Sequence, residues 1–235
     1  MKIAGLQKFT LLDYPNKTAC IIFTQGCNLK CPFCHNSTLI GADVQSEISE
    51  EYVFDFLKSR VGKLDGVVIT GGEPLLQPDL IQFILKIKEL GFLVKLDTNG
   101  FLADKLQEVC KYAKPDYVAM DVKNSLDKYQ ITCDCPNLNT FNIIKSIQYL
   151  INYSYVDYEF RTTVVKNFHT ENDMIRIAKM IRECKRYYLQ QFVKSENVLD
   201  DRCEALSDED MKRYLTIVRN YIPNAELRGV NIDGT

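Results

Sequence analysis

The chain has 235 residues, 46% hydrophobic and 26% charged, a composition typical of a globular protein rather than a disordered or fibrous one. Its net charge of −2 argues against a nucleic acid or an anionic membrane as partner. No apolar run reaches the roughly 20 residues of a membrane span, and Gln7 and Lys8 interrupt the start, where a signal peptide needs an apolar stretch. We therefore expect a cytoplasmic protein with one domain over residues 1–235.

Short runs of β-branched and aromatic residues alternate with amphipathic stretches. The runs predict six strands, at 20–24, 66–70, 92–98, 117–122, 158–165 and 187–193. The amphipathic stretches predict helices at 50–60, 78–90, 102–112, 140–151, 171–184 and 207–221. Six consecutive strand–helix units favour a parallel sheet with right-handed crossovers, and a closed eight-unit barrel typically needs about 250 residues. We predict an α/β fold, a partial open (β/α)6 barrel, with chemistry at the carboxyl ends of its strands.

The densest chemical signal is three cysteines within eight residues, directly after the first predicted strand. Disulfides are the weaker interpretation in a reducing compartment, and metal or redox chemistry is the stronger. Cys27, Cys31 and Cys34 leave one iron of a 4Fe–4S cube without a protein ligand, which is the open position that a catalytic metal needs. A structural zinc knuckle, closed by His35 or a distant cysteine, is the alternative.

The other cysteines fall into two groups. Four lie on or near apolar patterns and are predicted to be core residues: Cys20, Cys110, Cys184 and Cys203. Cys133 and Cys135 have no obvious partners, and both a redox pair and part of an auxiliary cluster stay open.

Further candidate residues follow the later strands. The Gly-Gly-Glu-Pro segment at 71–74 would let the backbone approach a ligand without a Cβ in the way. Asp97 ends the third strand. Asp121 and Lys123, two residues apart at the end of the fourth, share one face and would be costly if buried unpaired.

The last two predicted strands carry weaker signals. Arg161 stands among apolar residues, where it would either bind a carboxylate bidentately or form an ordinary salt bridge. His169 follows the fifth strand in a loop, and we predict an exposed side chain for it.

Cys27-x3-Cys31-x2-Cys34, with Phe33 before the third cysteine, resembles the signature of the radical S-adenosylmethionine (SAM) superfamily. More narrowly, FTQGCNLKCPFCHN resembles the activating enzymes of glycyl radical proteins, and the opening GLQKFTLLDYPNKTAC is similar to the activating proteins of anaerobic ribonucleoside-triphosphate reductase. The chain departs from many activators at 13–16, where it has Asp-Tyr-Pro-Asn instead of Asp-Gly-Pro-Gly, and it has no eight-cysteine ferredoxin insert after the motif.

The resemblance implies a 4Fe–4S cluster on the three motif cysteines, with SAM chelating the fourth iron. Reductive cleavage of SAM would give a 5′-deoxyadenosyl radical that takes a hydrogen from a glycine of a partner, with flavodoxin or ferredoxin as electron donor. It also implies a monovalent cation near Asp97 and Asp121, and contact of Asp13 with the partner peptide. The implied SAM contacts are Phe33, Cys34, His35, Asn36, Gly71, Gly72, Glu73, Pro74, Asp97, Asn99, Asp121, Val122, Lys123, Arg161 and Gln191. Gln191 stands where activators of the formate-lyase type carry a histidine, and no side chain is assigned as an acid or base.

Anaerobic ribonucleotide reductase is the expected partner, followed by pyruvate formate-lyase. A radical SAM enzyme acting on a small molecule, such as a 7-carboxy-7-deazaguanine synthase, is the first alternative. A nonenzymatic zinc or redox module is the second.

Overall fold

The computed structural model describes residues 1–41 and 48–230. Eight strands lie side by side in chain order: β1 (Ile3–Thr10), β2 (Ala19–Thr24), β3 (Gly66–Gly71), β4 (Leu93–Thr98), β5 (Tyr117–Asp121), β6 (Asp157–Val164), β7 (Tyr187–Gln191) and β8 (Glu226–Arg228). β1 is antiparallel to β2, and every later pair of neighbours is parallel. In the described part of the chain β1 and β8 do not pair with each other, so the sheet stays open along one side.

Within the described residues, seven α-helices follow the strands or connect them: α1 (Glu50–Lys58), α2 (Leu80–Glu89), α3 (Ala103–Tyr112), α4 (Tyr129–Thr132), α5 (Thr140–Asn152), α6 (Glu171–Met180) and α7 (Asp208–Arg219). The predicted partial barrel is confirmed, with all six predicted strands and helices in their places. None of the described helices is long and apolar enough to cross a membrane.

Two strands, β1 and β8, were not predicted from the periodicity of the sequence. β1 is an edge strand whose middle residues are exposed or half-buried, so it lacks the apolar run of a buried strand. β8 has three residues, too few to show a period. Together they extend the six predicted parallel strands to seven and add an antiparallel strand at one edge.

Side-chain alternation along the strands divides the inside of the barrel into an apolar end and a polar end. Tyr117 and Ala119 on β5 belong to a small apolar cluster with Tyr14 and Ile21 near the amino ends of the strands. Two residues farther along β5, Asp121 points to the same face, because successive side chains of a strand alternate. The fold therefore closes the lower interior with apolar groups and places charged groups at the carboxyl ends.

Candidate active site

A cavity of about 390 Å³ lies at the carboxyl ends of the parallel strands and extends into the barrel interior. It brings together most of the residues predicted from the sequence: Asp13, Cys27, Cys31, Phe33, Cys34, His35, Asn36, Gly71, Gly72, Asp97, Asn99, Asp121, Lys123 and Arg161. A larger cavity of about 870 Å³ lies near the amino ends of β5 and β6 and contains none of these residues. The motifs therefore converge at the end of the sheet where parallel α/β folds carry their sites.

The loop after β2 carries the three cysteines, and backbone contacts hold it against β3. Gly26 accepts a hydrogen bond from the backbone N–H of Glu73 at 2.8 Å. A Cβ added to Gly72 would lie 2.0 Å from the Gly26 oxygen, and one added to Gly71, whose φ is +117°, would lie 2.4 Å from the nitrogen of Thr24. The glycine pair thus allows close approach of two backbone segments, in addition to the ligand access expected from the sequence.

Each motif thiol accepts a hydrogen bond from its surroundings. The Leu29 N–H donates to Cys27 Sγ at 3.5 Å, the backbone at Asn36 donates to Cys34, and the Cys31 thiol is paired with that of Cys133. Such donors stabilise the thiolate form that binds iron.

The pKa values of the three thiols differ because their surroundings differ. Burial raises the pKa of Cys27 to about 12 and also raises that of Cys34. The hydrogen bond with Cys133 and the positive charge of Lys123 lower the pKa of Cys31 despite its burial. Metal binding must therefore supply the free energy that deprotonates Cys27 and Cys34.

The thiol set matches the chemistry of a cluster. In a 4Fe–4S cube each cysteine thiolate binds its own iron, so three thiols spread along one cavity wall suit it. The described residues hold no group of three Cys, His, Asp or Glu side chains placed around a single metal ion. Asn28 also carries an unpartnered buried amide nitrogen in the cysteine loop.

A network of opposite charges also lines the cavity. Arg161 donates from Nε to Asp121 Oδ1 at 2.9 Å and from Nη1 to Asp97 Oδ2 at 3.3 Å. Lys123 pairs with Asp121 at 2.9 Å, and Lys95 pairs with Asp97. Burial alone would raise the pKa of both carboxyl groups, but Arg161 and the lysines hold both below their ordinary range. The predicted carboxylates are therefore ionised and already paired with cationic side chains.

Arg161→Gln is expected to lower the free energy of unfolding by about 3–5 kcal/mol at pH 7, because it leaves two buried carboxylates without their shared partner. Without the guanidinium, the pKa of Asp97 and of Asp121 should rise towards the unfolded value of 3.8, while Lys95 and Lys123 still lower it. The wild type then loses more stability than the variant as the pH falls from roughly 5 to 3, so the difference between the two proteins should shrink over that range. Urea unfolding at pH 7 and at about pH 3 measures this.

Arg202→Gln is the matched control, since Arg202 is mostly exposed and pairs with Asp200 on the surface. It should change the stability by less than about 1 kcal/mol. A loss at Arg161 no larger than at Arg202 would contradict the network.

Four of the predicted SAM contacts lie outside the cavity lining. Glu73 is fully buried and accepts hydrogen bonds from Thr98 Oγ1 at 2.8 Å and from the Asn99 N–H at 2.7 Å, which ties the end of β3 to that of β4. Burial raises its pKa to about 7. Gln191 donates its amide to the Leu206 carbonyl at 2.9 Å, whereas its neighbour Gln190 lines the cavity. The other two are Pro74, which is buried, and Val122, also buried. Contacts of these four residues with SAM stay predictions.

The prediction of an exposed His169 is wrong. The ring is buried, and its Nε2 donates to the carbonyl of Lys123 at 2.8 Å while the Val165 N–H reaches Nδ1 at 3.1 Å. Burial lowers the pKa of His169, so the ring is neutral, and its hydrogen bond supports the backbone at Lys123. The position of His169 in a loop did not indicate its burial, because its hydrogen-bond partner Lys123 follows a different strand, β5.

A family model described as the radical SAM superfamily matches residues 21–181 of this chain. The chain belongs to the radical SAM superfamily. It is therefore an enzyme of the kind that uses a 4Fe–4S cluster and SAM, and the cavity residues are those available to hold them.

Two known proteins are similar to this chain in sequence, and one solved structure shares its fold. A Methanocaldococcus jannaschii protein, named as a candidate glycyl-radical enzyme activating enzyme, is 35% identical over 97% of this chain and 96% of its own length. The pyruvate formate-lyase-activating enzyme of Clostridium pasteurianum is 32% identical over 52% of each chain. A radical SAM methyltransferase from Sphaerobacter thermophilus superposes with a TM-score of 0.74 at 15% identity, covering 92% of this chain and 67% of that one, and shows the fold alone.

Proposed function

We propose that this enzyme generates a glycyl radical on a partner protein, and that the partner is an anaerobic ribonucleoside-triphosphate reductase. The observation that carries the proposal is the single cavity shared by the three motif thiols, the strand-end charges and Asp13. The similarity of the chain to activating enzymes supports the reaction type. The opening segment 5–20 supports the choice of reductase.

When bound, the cofactors would supply the difficult chemistry, which is the reductive cleavage of SAM to methionine and a 5′-deoxyadenosyl radical able to take a glycine Cα hydrogen. Cys27, Cys31 and Cys34 would hold three irons. Gly72 would present backbone groups to the amino acid end of SAM, and Lys123 would lie near its carboxylate.

Aromatic contacts close the cysteine loop over the strand ends. His35 stacks on Phe192 at 5.4 Å between ring centroids, and its Nε2 bonds to the Val193 carbonyl at 2.6 Å. Phe33 packs on Phe168 at 5.7 Å. These contacts limit the access of water to the radical chemistry from this side.

The turn between β1 and β2 is suited to meet a partner peptide. Asp13 lines the cavity, and next to it Leu11 and Leu12 are 63% and 93% exposed. Exposed apolar side chains beside a polar group that reaches into a site are typical of protein-binding surfaces. The turn also borders the open side of the sheet, where a glycine-bearing loop has room to enter.

The decisive experiment reconstitutes the protein anaerobically, reduces it and adds SAM with each candidate partner from the same organism. A doublet EPR signal with the reductase, accompanied by 5′-deoxyadenosine on chromatography, supports the proposal. A signal with pyruvate formate-lyase alone would replace the partner and keep the reaction. SAM cleavage stimulated only by a pterin-like small molecule would instead favour a deazapurine enzyme, and a colourless zinc protein would overturn the reaction altogether.

The double variant Leu12→Ser/Asp13→Ala is expected to lower the glycyl radical yield about tenfold, because an apolar and a polar contact with the partner are lost together. SAM cleavage without the partner should stay within about twofold, since neither residue is a proposed cluster ligand or SAM contact. EPR spin counts and 5′-deoxyadenosine yields measure the two quantities. Tyr155→Ser, which alters a fully exposed side chain in the loop before β6, is the control. Equal losses of both activities would place the turn in the fold rather than at the partner surface.

The proposal also includes the electron donor, the compartment and the domain organisation. The donor is a flavodoxin or ferredoxin, the compartment is the cytoplasm, and residues 1–235 form a single radical SAM domain. A monovalent cation beside Asp97 and Asp121 would have to share both carboxylates with Arg161, which already bridges them. Comparing SAM cleavage in sodium, potassium and choline buffers tests that cation.

A further inference from the structure

Cys133 lies directly behind the motif cysteine Cys31. Its side chain is fully buried, and its thiol lies beside that of Cys31, within reach of a hydrogen bond between the two sulfurs. The Lys30 N–H donates to the Cys133 carbonyl at 3.1 Å, which joins the two backbone segments as well. In the sequence Cys133 has no obvious partner, and a redox pair with Cys135 or part of an auxiliary cluster stayed open, whereas the structure places it beside a thiol of the cysteine motif.

The short helix α4 fixes Cys133 in this place. The Cys133 N–H donates to the Tyr129 carbonyl at 3.0 Å, and the buried Tyr129 hydroxyl accepts a hydrogen bond from the Lys123 N–H, also at 3.0 Å. One turn of helix therefore positions both a cavity lysine and the thiol behind Cys31. The thiol contact belongs to a built part of the site rather than to a loose surface segment.

Ligand chemistry decides the direction of the hydrogen bond. A thiolate bound to iron carries no proton, so the hydrogen in the contact with Cys31 belongs to Cys133. Hydrogen bonds to the ligating sulfurs of a cluster are among the factors that set its reduction potential, and they favour the reduced, more negative state.

We propose that Cys133 is a positioning residue whose S–H donates to the ligating sulfur of Cys31 and makes the cluster easier to reduce. This inference rests on the proposed ligation of a cluster by the motif cysteines. It gives Cys133 a role distinct from that of a core cysteine, a redox pair with Cys135 or a ligand of an auxiliary cluster.

The test compares Cys133→Ala, Cys133→Ser and the control Cys110→Ala, which removes a buried thiol on α3, by EPR-monitored redox titration of the reconstituted proteins. The alanine variant should still bind about four irons per chain. At a fixed solution potential its ratio of reduced to oxidised cluster should fall roughly threefold to tenfold, the effect of losing one hydrogen bond to a charged acceptor. Serine, which keeps a donor, should restore most of the ratio, and Cys110→Ala should leave it unchanged.

Two results would overturn the inference: an unchanged potential in Cys133→Ala, or an equal shift in the serine variant, which would indicate packing alone. If the alanine variant does not fold, Cys133→Val fills the space without a donor and should show the same shift. Failure of the wild-type protein to bind iron would overturn the proposed function instead, so the two failures are distinguishable.

Discussion

Cys27→Ala, Cys31→Ala and Cys34→Ala are each expected to abolish reductive SAM cleavage. Each motif thiol lines the same cavity, and the superfamily uses three cysteines to hold one cluster. Removing one of three ligands leaves an iron without its anchor, so iron content should fall far below about four per chain. Iron and sulfide assays, the visible spectrum and chromatography of 5′-deoxyadenosine measure the loss.

The chain offers its own controls for this prediction. Cys184 and Cys203 are buried cysteines in the main apolar core and belong to neither the motif nor the cavity. Their alanine variants should keep iron and SAM cleavage while losing about 1–2 kcal/mol of stability through lost packing. Full iron content in any motif variant, or its loss in both controls, would contradict the assignment of ligands.

The fold could be predicted from the sequence because a parallel sheet buried on both faces leaves a strong local signal. Each central strand is a short apolar run, and each helix has an apolar stripe. The last predicted helix starts at Ser207, and the structure has Ser207 as the N-cap of α7, since its side chain accepts a hydrogen bond from the Asp210 N–H. β1 and β8 leave no such signal, one because it is an edge strand and the other because it is too short.

The residues of the candidate site also divide into those that the sequence could predict and those that it could not. Residues at the end of a strand, such as Asp97 and Asp121, could be placed from the sequence, because parallel strands bring their carboxyl ends together. The partners that fix them could not, since Lys95 was an unremarkable residue of a strand and His169 bonds across to a distant backbone. Contacts of this kind depend on tertiary packing and have no spacing rule that a single sequence can reveal.

Gly72→Ala is expected to have a large effect for the addition of a single methyl group. Its Cβ would lie 2.0 Å from the carbonyl oxygen and 2.6 Å from the carbonyl carbon of Gly26, atoms of the backbone that cannot rotate away. The end of β3 and the cysteine loop must therefore move apart, which strains the hydrogen bonds Gly72 N–H to Thr24 O at 3.0 Å and Glu73 N–H to Gly26 O at 2.8 Å. Overpacking of this kind costs about 1–3 kcal/mol.

The effect on activity should exceed the effect on stability. Cys27 follows Gly26 directly, so a shift of the loop by about 1 Å displaces a cluster ligand, and misplacement on that scale can lower a rate about 100-fold. We expect SAM cleavage by Gly72→Ala to fall by that order while the variant still unfolds cooperatively. Gly41→Ala is the control, because a Cβ there meets no atom of the described residues within 4 Å. If Gly72→Ala kept wild-type stability and SAM cleavage, the close contact between β3 and the cysteine loop would not be what positions Cys27.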